Sequence, residues 1–174
     1  MGSGLDEARA STTEKDAQAV GRLRAAGAVL FGRSNAPAGA ADIDTSNLKY
    51  GRTRNSSALH RTVGGWRVGG CNSGVHTLAD LGSESSGSVR IPAHCCGVLG
   101  FRPSKGVLPQ NGHHPGPDNE FLIEPMLTPG PLARFPRDLV RIWAALSGKT
   151  MTVRPPKRVA LHLDPRRRRL HSTP

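Results

Sequence analysis

Ser88 is the residue of this chain best placed to act as a nucleophile. It ends the run Gly82-Ser83-Glu84-Ser85-Ser86-Gly87, in which five of six residues are serine or glycine. Such residues let a backbone turn sharply and aim successive N–H groups inward. A hydroxyl at the end of the turn then lies where those N–H groups can hold an oxyanion. Arg90 and Pro92 follow, and after them an apolar run to Leu99. The same stretch also reads as a Gly/Ser surface loop entering a buried strand.

Other chemistry-bearing residues form weaker patterns. His94-Cys95-Cys96 with Cys71 lacks the C-x-x-C or H-x-x-x-H spacing of a metal site, so no metal and no cofactor is expected. His113-His114, flanked by glycine and proline, reads as a solvated loop. No spacing argues for a Ser–His–Asp triad around Ser88.

The elements that must position Ser88 are legible in outline. Thr13-Glu14-Lys15-Asp16 resembles a capping box opening a helix, with Val20 and Leu23 on its apolar stripe and Gly27 as its stop. Ala28-Val29-Leu30-Phe31 reads as a short buried strand. Residues 34–62 and 106–135 are rich in loops. Pro136 opens a second helix at its favoured position. Leu139, Ile142, Trp143 and Leu146 give it one apolar face for core packing, and Gly148 ends it. Arg158–Leu163 reads as a further strand.

Composition narrows the function classes. A chain of 174 residues can hold one domain with a real core. No apolar run is long enough for a membrane span, and MGSGLDEARAS lacks the features of a signal peptide. Three cysteines, two of them adjacent, make a poor disulfide framework and point to a reducing, cytoplasmic setting. Of the net charge of +11, residues 151–174 carry +6, from seven Arg/Lys and one acid. This clustering argues against a nucleic-acid partner, although the Arg166–Arg169 run could meet an anionic surface.

The run from Gly82 to Ser104 resembles the core pattern of the amidase signature family, G-[S/T]-D-x-G-G-S-[I/V]-R-x-P-A followed by C-G-V-x-G-x-[K/R]-P-[S/T]. Gly82, Ser83, Gly87, Ser88, Val89, Arg90, Pro92 and Ala93 fit its first part. Cys96, Gly97, Val98, Gly100, Arg102, Pro103 and Ser104 fit its second. Glu84 stands for the family aspartate and Ser86 for the first glycine of the pair. LRAAGAVLFGRSNAP, Tyr50–Asn55, the GHHPGP loop at 112–117 and Thr128–Arg134 resemble further family segments. The region around EFLIEPMLTPGPLAR looks slightly closer to the fatty-acid amide hydrolase branch than to the glutaminyl-tRNA amidotransferase subunits.

This resemblance implies a partial amidase-signature α/β fold, a mixed β-sheet covered by helices, lacking N-terminal and C-terminal portions of the full domain. It assigns 1–163 to the partial domain, with the best match over 17–163, and leaves 164–174 as a basic, disordered tail. It implies hydrolysis of the carbon–nitrogen bond of a small-molecule amide by a Ser–Ser–Lys arrangement. Ser88 would be the nucleophile and Ser85, Ser86, Gly87 and Ser88 the oxyanion turn. Glu84 and Arg90 would be structural, with the extra methylene of Glu84 displacing the hydrogen bonds that brace the turn. The bridging serine is unmatched: Trp66 stands there if Gly64-Gly65 is the family glycine pair, Cys71 if Gly69-Gly70 is, and Ser73 is out of register in both. The catalytic lysine is also unmatched, its strand lying upstream of Met1 in the family order.

Weak or absent activity of the isolated chain is therefore expected. A truncated or frameshifted product, or a second polypeptide supplying the lysine segment, would account for it. The alternative function is a non-catalytic binding module whose basic tail contacts an anionic partner.

Overall fold

The computed structural model describes residues 16–37, 42, 44–64, 77–113 and 126–149. Helix α1, Gln18–Ala25, starts later than the capping-box reading requires. Ala17 is its N-cap, with no side-chain cap bond, and Thr13–Lys15 lie outside the described residues. Ala19 and Leu23 are its buried face, and Gly27 closes it as expected.

Residues 28–31 do not form the buried strand that their composition suggests. They join no ladder, and Val29 is 86% and Phe31 78% exposed. Among the described residues no strand lies beside them, and β-propensity without a pairing neighbour builds no sheet.

Two small hairpins follow. β1 (Ser46–Asn47) pairs with β2 (Gly51–Arg52), and β3 (Arg54–Asn55) with β4 (Ala58–Thr62). The first turn is held by Asn47, whose Oδ1 accepts from Lys49 N and Tyr50 N, a side chain standing in for a backbone turn.

The element beneath Ser88 is a three-stranded antiparallel sheet. β7 (Thr128–Ala133) lies between β5 (Ala79–Glu84) and β6 (Leu99–Gly100), with Gly82 opposite Gly130 and Glu84 opposite Thr128. A central strand reading Thr-Pro-Gly-Pro-Leu-Ala looks unsuited to its place, since proline donates no ladder hydrogen bond. The alternation of a strand resolves this. Pro131 O accepts from Phe101 N at 3.0 Å, so Pro131, and Pro129 two residues back, face the β6 side, where the ladder is short. Thr128, Gly130 and Leu132 keep their N–H groups for β5. At Gly130 a Cβ would sit 2.6 Å from Phe101 O, so only glycine admits this crossing.

Helix α2, Arg90–Cys96, replaces the strand entry that the apolar run suggests. Pro92 lies within the first turn, where a missing N–H leaves no helical bond unmade. Gly97, with φ 68°, caps the other end, and Val98 N donates back to Ala93 O. Helix α3, Pro136–Ser147, matches its expected span, from proline at the first position to Gly148 at the stop.

Two cores hold these pieces. Val63, Val89, Ala93, Cys96 and Leu132 pack α2 onto the sheet. Ala19, Leu23, Leu108 and Leu146, with Ile142 and Trp143 against them, join α1 to α3. Each fully buried leucine contributes about 2 kcal/mol through its removal from water. Arg22 Nη1 adds a bond to Leu146 O at 2.7 Å. Arg158–Leu163 and the basic tail lie outside the described residues, and no described helix is long and apolar enough to cross a membrane.

Candidate active site

The strand β5 delivers the chain to a turn, Ser85–Val89, and α2 carries it away. Glu84, the last residue of the strand, is completely buried beneath that turn. Its carboxylate accepts from Gly87 N through Oε1, and from Val89 N (2.8 Å) and Arg90 N (3.2 Å) through Oε2. The Arg90 guanidinium donates to Oε1 at 3.3 Å. Burial alone raises the pKa of this carboxyl. The Val89 N–H, the Arg90 side chain and the N–H groups of Arg90 and Gly87 outweigh burial and hold the pKa below its ordinary value. The expected displacement of the brace by the extra methylene is thus not what occurs. The longer side chain reaches under the turn and gathers its donors.

That arrangement divides the N–H groups of the turn. Gly87 N–H is committed to Glu84, whereas those of Ser85, Ser86 and Ser88 have no acceptor among the described residues. Ser88 itself is 6% exposed, Ser85 7%, and Ser86 faces solvent. Gly87 has φ 117°, and a Cβ there would lie 2.5 Å from Ile91 Cδ1, so glycine is required on both counts. A cavity of about 390 Å³ opens over the turn, lined by Ser86, Gly87, Arg90, Ile91 and His94. Of the N–H groups with no acceptor among the described residues, only that of Ser86 belongs to a residue lining this cavity; Ser85 and Ser88 lie buried beside it and do not line it.

Trp66 and Cys71, the two candidate bridging positions, lie outside the described residues, as does Ser73. Gly64, immediately before that segment, is described. A Cβ on it would meet Cys95 Sγ at 2.5 Å and Ile91 Cγ2 at 3.5 Å, so Gly64 itself packs against the flank of α2.

His113 corrects the solvated-loop reading at its own position, whereas His114 lies outside the described residues. His113 is 1% exposed, and its Nε2 is hydrogen-bonded to Ser83 Oγ, itself 3% exposed. Ser83 and Glu84 are consecutive on β5, so the 106–113 loop is pinned directly behind the turn. The local run of glycine and proline gives no sign of this, because the partner is 30 residues away in the chain. His94 stands in a weak metal pattern by sequence; at one helical turn beyond Arg90 it shares the face that lines the cavity.

The Amidase family model matches residues 1–171. The chain is 36% identical over 141 residues to a mitochondrial glutamyl-tRNA(Gln) amidotransferase subunit of Drosophila pseudoobscura pseudoobscura, covering 76% of this chain and 27% of that protein. It is 34% identical over 151 residues to fatty-acid amide hydrolase 2 of Homo sapiens, covering 84% of this chain and 27% of the relative. A crystal structure of an amidase superposes with a TM-score of 0.71 at 34% identity, over 80% of this chain and 31% of that one. The chain thus spans about a quarter of the length of the curated relatives it matches, and its helices and small sheets correspond to part of their α/β fold. By its family match and by the fold that carries Ser88, the chain belongs to the amidase signature family.

Proposed function

We propose that this chain carries the nucleophile-bearing core of a hydrolase of carbon–nitrogen amide bonds, acting on small carboxamides, with Ser88 as the nucleophile. The observation that carries this reading is the turn itself. Ser88 lies within it, the N–H groups of Ser85, Ser86 and Ser88 are uncommitted among the described residues, and buried Glu84, joined by the Arg90 guanidinium, braces it. Ser88 Oγ would attack the amide carbonyl carbon, the turn would hold the oxyanion, and the amine would leave with a proton.

A serine hydroxyl needs a positioned base. The described lysines, Lys49, Lys105 and Lys149, are all exposed, and none lines the cavity over the turn. Slow turnover is expected from the described residues alone, and a second polypeptide that supplies a base would raise it. The cysteine usage supports a cytoplasmic setting for this chemistry.

Labelling with a fluorophosphonate probe, in parallel with Ser88→Ala, tests this reading. Slow labelling that disappears in the variant is expected. Labelling that survives Ser88→Ala, or none at all from the folded protein, removes Ser88 as the nucleophile. Labelling as fast as that of a fully activated serine hydrolase overturns the weak-activity reading.

A further inference from the structure

The cavity over the turn has a neighbour at His94. On the other side of that imidazole lies a second cavity, of about 480 Å³, lined by Arg61, Thr62, Asn55 and Cys95 together with His94. The two adjoin at His94 on the exposed face of α2, one beside the turn and the other beside hairpin β3–β4. None of the lining residues is an acid. Two are arginines, one in each cavity.

The two arginines differ in their commitments. Arg90 is engaged with Glu84. Arg61 is exposed and has no acidic partner among the described residues. Asp44, the acid behind Thr62, is already occupied, by Arg52 at 2.7 Å and by Thr62 Oγ1 at 2.6 Å. The cavity beside hairpin β3–β4 therefore presents a guanidinium that meets no acid among the described residues, and a guanidinium matches a carboxylate in charge and in its paired geometry. Arg90 and His94 are four residues apart on a helix, about 6 Å along its axis. A substrate reaching from the turn past His94 to Arg61 needs a spacer of at least that length.

We infer that these adjoining cavities select amides whose acyl chain carries a remote carboxylate, with Arg61 as the residue that recognises the anion. The inference rests on the proposed hydrolase reading only for the placing of the amide carbon at the turn. Arg61 would touch the substrate and take no part in bond breaking.

Binding to the full chain, followed by calorimetry or ligand-observed NMR, separates this inference from the question of turnover. Adipamate, the monoamide of a six-carbon dicarboxylic acid, is compared with hexanamide, which has the same carbon count and no charge. Adipamate should bind roughly two- to fivefold more tightly, and the advantage should shrink as salt is raised. Arg61→Gln should erase the advantage, and Arg61→Lys should keep part of it. Equal affinities in the unsubstituted protein, no adipamate binding, or a preference that survives Arg61→Gln each overturn the inference. If Ser88 fails to label while the Arg61-dependent preference stands, the hydrolase reading falls and the anion site remains.

Discussion

Replacing Glu84 with alanine tests whether the turn is held from beneath. The carboxylate is fully buried and accepts three backbone N–H groups and one guanidinium. A hydrogen bond to a charged group is worth about 1.5–3 kcal/mol, and the four share two oxygens and cannot add fully, so the loss should be about 4 kcal/mol. At about 2–4 °C per kcal/mol for a chain of this size, the melting midpoint should fall by roughly 10 °C. Glu84→Gln keeps the shape but turns one oxygen into an NH₂ group, which must then face an N–H donor of the turn, and about 3 kcal/mol should be lost. Thermal unfolding followed by circular dichroism reads both. The pH dependence has a definite sign, because the folded pKa lies below the ordinary value of 4.5. The stabilisation by Glu84 is complete above that value and is lost as pH falls through the folded one. The gap between the unsubstituted protein and Glu84→Gln should therefore be widest near neutrality and close in acid. Losses below about 1 kcal/mol in both variants would refute the brace, as would a gap that stays constant as the solution is acidified.

Gly87→Ala should destabilise by about 1–3 kcal/mol, since it forces a positive φ on a side chain that also meets Ile91; it should slow any Ser88-dependent labelling more than a surface control does. Ser83→Ala removes the hydroxyl bonded to buried His113 and should cost about 1–3 kcal/mol, with hydrogen exchange rising in residues 106–113. Leu132→Ala, at a fully buried position between the sheet and α2, should cost about 2–5 kcal/mol in chemical unfolding.

What the sequence reveals here follows from how local each signal is. Helix α3 is readable end to end because its proline, its apolar face and its glycine stop all lie within one span of residues. The composition of the Ser85–Val89 turn is equally local, and so is the match of Ser88 to a family pattern. Residues 28–31 mislead because strand formation depends on a neighbour that composition cannot supply. Helix α2 is hidden because the apolar run after Pro92 reads as a strand entry, whereas proline is accommodated in the first turn of a helix. Glu84 looks like a damaged family position when a one-methylene change is judged in isolation. Its outcome depends on donors up to six residues ahead, folded over it by a turn whose path the side chain itself helps to set. The same reasoning applies to Arg61 and His94. They are 33 residues apart, on a hairpin and a helix of unrelated periodicity, and only the cavity they share gives them a common chemistry. A departure from a family motif is thus best judged by whether the new side chain finds its donors, and at Glu84 it does.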